Sequence, residues 1–222
     1  MDLAIQIEKL EKEIQAYFKS DSSGHDIYHL KRVMNIALHI QEKEGGDRTV
    51  IGIAALLHDV HRIMQNETGC FCLPKDSLDN IKEIIDKSDI ILSRKQIDMV
   101  LHCIEYHEEY SFSKSGKTVS DIETLILQDA DNLDAIGAIG VGRTMTYGAT
   151  LGIPIWNPDI NDEKKTFDEG DKEESTIHHF YNKLFKLKDN MNTSTAKAIA
   201  QKRHEFMEQF VEEFLAEWEG KR

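Results

Sequence analysis

Leu3, Ile7, Leu10, Ile14, Tyr17 and Phe18 recur at three- and four-residue intervals, the spacing that gathers apolar side chains on one face of a helix. The run Ser20 to Gly24 breaks that pattern. A second helix is expected through Ile27, Leu30, Val33, Met34, Ala37 and Leu38, with Gly45 and Gly46 to stop it. Asp47 is placed to cap a third, whose Val50, Ile51, Ile53, Ala54, Ala55, Leu56 and Leu57 are apolar almost all round, as suits the centre of a core. A shorter helix is expected over 77–88. Ser93 with Gln96, and Ser120 with Glu123, have the capping-box spacing and are expected to open the next two helices.

Beyond Leu133 the pattern is interrupted by Gly137, Gly140 and Gly142, which permit close helix contact. The stretch 148–170, with Pro154, Pro158 and Asn161-Asp162, is the expected mobile loop. Two last helices are expected over 175–188 and 194–218, the latter with Ala198, Ile199, Phe206, Phe210, Phe214 and Leu215 on one face. No strand-like alternation competes. The expectation is an all-α fold, one domain over residues 1–222, forming a compact, irregular bundle of about eight helices.

Charge narrows the partners. With 40 acidic against 27 basic side chains, a net charge of -13 repels a long nucleic acid, so a small anionic substrate would need a local positive cluster or a cation. Residues 1–19 contain no uninterrupted apolar stretch and read as neither signal peptide nor membrane anchor, which implies a cytoplasmic location and no membrane partner. Cys70, Cys72 and Cys103 are odd in number and are expected as reduced thiols.

Three short stretches carry chemistry. His58-Asp59 ends the apolar third helix, where burial of an imidazole and a carboxylate without partners costs on the order of several kcal/mol. A divalent cation satisfies both; the plain alternative is a helix that has reached the surface. His25 and His29, four apart, share a helix face, so they form either a chelating pair or a histidine near the N-cap beside an exposed one. In Asp129-Ala130-Asp131-Asn132-Leu133-Asp134, Asp131 and Asp134 share a face within an apolar helix.

Together these stretches resemble the HD superfamily of metal-dependent phosphohydrolases, in the order His29, then His58-Asp59, then Asp131. The resemblance continues through Ala135 to Gly140, Arg143, His179 to Leu184, Met191, Thr193 and Ala200 to Met207, and looks like a subfamily of small single-domain bacterial hydrolases. It implies an HD-domain-like helical fold with His29, His58, Asp59 and Asp131 as metal ligands, Asp59 also serving in catalysis. His107, at the end of a helix before a Ser/Gly-rich loop, is a catalytic candidate by its position, expected to donate a proton to the leaving group or to contact phosphate. The resemblance further implies Arg143, Lys183 and Arg203 on the substrate. His61-Arg62 departs from the small and acidic residues that often follow the His-Asp pair there. No histidine lies between His61 and His102 to complete a second metal site, so one metal is expected.

Two imidazoles and two carboxylates suit Mn²⁺, Fe²⁺, Co²⁺, Ni²⁺ or Zn²⁺ better than Mg²⁺. The implied function is hydrolysis of a small nucleotide-like phosphate ester or anhydride by a metal-activated water, with a nucleoside triphosphate pyrophosphohydrolase as the specific expectation. The alternatives are a nucleoside monophosphate phosphatase and a non-catalytic module that senses a nucleotide. The sequence leaves the oligomeric state open.

Overall fold

Helices begin where a short polar side chain takes up an N–H of the first turn. Asp2 caps α1 (Leu3–Ile14), Asp26 caps α2 (Ile27–Glu44) and Asp47 caps α3 (Arg48–Leu57). Ser93 and Gln96 form the expected capping box of α6 (Arg94–Tyr106). The structure, a computed structural model, describes residues 2–18, 25–108, 119–159 and 174–222, and among them there is no strand. The all-α expectation holds. No helix among the described residues is long and apolar enough to cross a membrane.

Contacts group the chain into two compact units, within what the sequence presents as one domain. The boundary falls between Asp131 and Asn132, inside α7 (Ile122–Asp134). In the first unit α3 is contacted by α1, α2 and α6, and every residue from Val50 to Leu57 is buried. Each of its large aliphatic side chains contributes about 1.5–3 kcal/mol by leaving water, so the helix that carries His58 at its end is anchored firmly. α5 (Leu78–Lys87) buries Ile81, Ile84 and Ile85.

Two details differ from the sequence reading. Asp121, not Ser120, caps α7: its carboxylate accepts from Thr124 N at 2.9 Å, while Glu123 accepts from Asp47 N at 2.8 Å. An aspartate one position on outcompeted the hydroxyl. The second difference is α4 (Val60–Thr68), which buries only Val60 and His61 and so leaves little apolar signal before it ends at Gly69 in the left-handed region.

The second unit holds α8 (Gly137–Thr150), where the sequence reading sees only interrupting glycines. Gly137, at φ 78°, lies under Arg203, and a Cβ on Gly148 would stand 2.3 Å from Thr176 Oγ1, so small residues here serve close packing inside a helix. α8 packs against α11 (Ser194–Trp218). Between them come α9 (Thr176–His179), a π-helical turn over Phe180–Leu184, α10 (Phe185–Leu187) and a 3-10 turn over Lys188–Asn190. Of the expected mobile loop, Pro154 and Ile155 are tied down, their carbonyls accepting from Thr176 and Ile177 N–H groups at 2.9 and 3.0 Å. Its later part, with Asn161-Asp162, lies outside the described residues, as does the breaker Ser20 to Gly24.

Candidate metal centre

Asp26 fixes the first turn of α2 by accepting from His29 N at 2.8 Å, which sets the direction of the His29 ring. α3 ends at His58, whose Nδ1 donates to Ala55 O at 2.8 Å; a carbonyl can only accept, so the hydrogen sits on Nδ1 and Nε2 presents a lone pair. Asp59 occupies the N-cap position of α4 but makes no capping bond. Its carboxylate instead accepts from His25 Nδ1 at 2.7 Å. A cap given up in this way marks a side chain held for another task.

The four expected ligands converge. His29 Nε2 lies 3.2 Å from Asp59 Oδ2 and 3.4 Å from Asp131 Oδ1; His58 Nε2 lies 3.6 and 3.7 Å from the same two atoms. The His29 and His58 rings are 5.2 Å apart, edge to face. Both histidines are fully buried, and Asp131 keeps 21% exposure of its side chain. His58 Nε2 is buried with no hydrogen-bond partner. A lone pair facing two carboxylates in the interior is unfavourable until positive charge joins them, and the donor set therefore fits a divalent cation.

The ionisation of the groups follows the same logic. Burial would raise the Asp59 carboxyl, but His58 and His25 hold it well below the usual carboxylate range. Burial likewise opposes ionisation of Asp131, and His29 and His58 outweigh it. At His58 burial pushes the pKa down, yet Asp59 and Asp131 raise it overall.

Around this core stand groups the sequence reading left open or missed. His25 is a partner to Asp59. His61 Nδ1 lies 3.1 Å from His58 O, and Glu108, beside His107, bonds the Arg62 guanidinium. Glu108 sits at the end of α6, far from Asp59 in sequence, and no spacing rule points to it. His107 Nδ1 donates to Ile104 O at 2.7 Å, and its ring is 5.1 Å from that of His58. Burial pushes its pKa down to about 4, so at neutral pH its Nε2 accepts and has no proton to give.

The expected substrate residues belong to the second unit. Arg143 pairs with the buried Asp134 at 3.0 Å, and its Nε is buried without a hydrogen-bond partner. Arg203 donates to Leu133 O and covers Gly137. Lys183 sits in the π-helical turn, a rare backbone form often found at functional sites.

The HD domain family matches residues 26–136, half of the chain, a span that includes all four converging residues. The chain belongs to the HD family. Bacillus subtilis YpgQ is 34% identical over 207 residues, which cover 93% of this HD chain and 90% of that protein. An HD-superfamily hydrolase from Bacillus thuringiensis shares 34% identity with a TM-score of 0.73, covering 98% of this chain and 99% of its own. YpgQ solved in complex with ADP superimposes with a TM-score of 0.74 at 29% identity, covering 96% and 95% of the two chains.

Proposed function

We propose that this HD protein is a metal-dependent phosphohydrolase acting on a small nucleotide-like phosphate ester or anhydride. The specific reaction proposed is cleavage of a nucleoside triphosphate to the monophosphate and pyrophosphate. The observation that carries the reading is the convergence of His29, His58, Asp59 and Asp131, with His58 Nε2 buried and unpartnered among the carboxylates. These four residues would hold the divalent ion, with Mn²⁺, Fe²⁺, Co²⁺, Ni²⁺ or Zn²⁺ favoured over Mg²⁺ by the imidazoles. Such an ion, when bound, supplies Lewis acidity toward a phosphate oxygen and lowers the pKa of water.

The chain's own residues then do the positioning. Ala55 O fixes the His58 tautomer and His25 orients Asp59, so the ligand set is held in place in advance. Asp59 joins metal ligation to catalysis, and neutral His107, with no proton to give the leaving group, is assigned to accept a hydrogen bond from water beside the reacting phosphate. Arg143, Lys183 and Arg203 are assigned to the phosphate groups, a role that the unpartnered Arg143 Nε supports. The ADP complex of YpgQ supports a nucleotide as ligand.

Mn²⁺-loaded protein, incubated with nucleoside tri-, di- and monophosphates and assayed for pyrophosphate and free phosphate separately, tests this. Pyrophosphate with a monophosphate is the expected result. Free phosphate from monophosphates alone would replace the reading with a phosphatase. Nucleotide binding with no turnover of any phosphate would replace it with a sensing module.

A further inference from the structure

We infer that Gln128 is a positioning residue of this site: its side-chain amide fixes the end of α6 and so holds the His107 ring in place beside His58. The inference rests on the reading that neutral His107 accepts a hydrogen bond from water beside the reacting phosphate.

Tyr106 is the last residue of α6, and a carbonyl at that end of a helix has no N–H of a following turn to accept from. Gln128 Nε2 donates to Tyr106 O at 2.9 Å, so a side chain of α7 supplies the missing donor. The bond is part-buried and Gln128 is 6% exposed, so loss of the amide leaves a carbonyl that water answers poorly. His107 is the next residue. Its Nδ1 donates to Ile104 O at 2.7 Å, and its ring stands 5.1 Å from that of His58 and 5.8 Å from that of His61, edge to face in both pairs. The last turn of α6 is thus held by the His107 ring at Ile104 O and by Gln128 at Tyr106 O. With the hydrogen on Nδ1, His107 Nε2 is an acceptor, buried and without a hydrogen-bond partner. A hydrogen bond to one water depends steeply on direction, and the direction of Nε2 follows that last turn.

Gln128 lies three residues before Asp131 on α7, close to one turn, so both side chains leave the same side of the helix. One helix thereby carries a candidate metal ligand and the amide that anchors the end of α6, and it fixes the spacing between the two. The plain alternative is a cap that only stabilises α6. Two other contacts already join these helices at an earlier level: His102 Nε2 meets Asp121 Oδ2 at 3.0 Å, and Thr124 Oγ1 meets Cys103 Sγ at 3.5 Å. What sets the Gln128 contact apart from these is its partner, which adjoins His107 itself.

Gln128→Met, close in shape but with no N–H, tests the inference in the full-length protein. In metal-free protein labelled with ¹⁵N-histidine, the His107 ring resonances should move in the variant, while helical circular dichroism and Mn²⁺ affinity stay as in wild type. With Mn²⁺ and a nucleoside triphosphate, kcat should fall about ten- to a hundredfold at unchanged KM, the effect of a group about 1 Å out of place. Unmoved His107 resonances, or an unaltered kcat in an active enzyme, would overturn the inference. A loss of kcat matched by loss of Mn²⁺ affinity or of helix content would overturn it too, since Gln128 would then be structural only. Should Gln128→Met fail to fold, Gln128→Asn, whose shorter side chain keeps the amide out of reach of Tyr106 O, carries the same readouts. A wild type that turns over no phosphate overturns the phosphohydrolase reading instead, and the ring resonances, which need no substrate, still decide whether Gln128 places His107.

Discussion

Asp131 and Asp134 stand three residues apart on α7, one in each compact unit, and their carboxylates are treated differently. Asp134 is 1% exposed and is met at 3.0 Å by the Arg143 guanidinium, a donor that answers its charge directly. Asp131 faces His29 and His58 Nε2 at 3.4 and 3.7 Å. Neither distance is that of a good hydrogen bond, and the His58 nitrogen carries a lone pair in place of a hydrogen. Asp134 has its positive partner in the protein, whereas Asp131 is set against imidazole nitrogens at distances too long for a good hydrogen bond, and that difference separates a candidate ligand from a structural ion pair.

The comparison breaks most sharply under paired substitutions. Asp131→Ala should abolish metal binding and reduce hydrolysis on the order of a thousandfold or more, while circular dichroism stays helical. Asp134→Ala should retain metal but destabilise the protein by about 3 kcal/mol, read by denaturant unfolding, because Arg143 loses its buried partner. Equal metal loss in both variants would erase the distinction.

Lys183→Met should lower kcat/KM about ten- to a hundredfold with metal content unchanged, the cost of one hydrogen bond to a charged group. An unaltered kcat/KM would remove Lys183 from the substrate. His25→Ala should weaken Mn²⁺ binding roughly tenfold, as expected for a group that orients a ligand without touching the ion. Isothermal titration reads this, and full loss of binding would instead make His25 a ligand.

The smallest effect concerns acid stability of the chelated protein. Burial would raise the Glu108 carboxyl, but His61 and Arg62 bring it down to about 2 from 4.5. A depressed folded-state pKa means that the stability it contributes is present above 4.5 and drains away as pH falls from there toward about 2. Glu108→Gln should flatten the stability curve in that window, and an unchanged slope would show that another carboxylate sets it.

The helical periodicity made the fold legible because the apolar patterns of α1, α2 and α3 are regular; α11 was legible as a helix, but its buried face is Ala196, Ala200, His204, Met207 and Val211, while Ala198 and Phe206 of the expected face are exposed. α4 was not, since only Val60 and His61 are buried in it, and α8 was not, since its glycines read as breaks until Arg203 and Thr176 are seen packed over them. The four converging residues were legible through His58-Asp59, a polar pair at the end of an apolar helix, joined to His29 and Asp131 by the family pattern. His61 and Glu108 were not. Their meaning depends on the end of α6 arriving beside the α3–α4 junction, and no local spacing encodes that approach. The structural partners of Arg143 and Arg203 were hidden for the same reason.

Anomalous diffraction from crystals grown with Mn²⁺ tests the central claim most directly. The account predicts a strong anomalous peak about 2.0–2.4 Å from His29 Nε2, His58 Nε2 and a carboxylate oxygen of both Asp59 and Asp131. A Mn²⁺-saturated crystal with no peak among these four residues, or with Asp131 turned away from the ion, would contradict it.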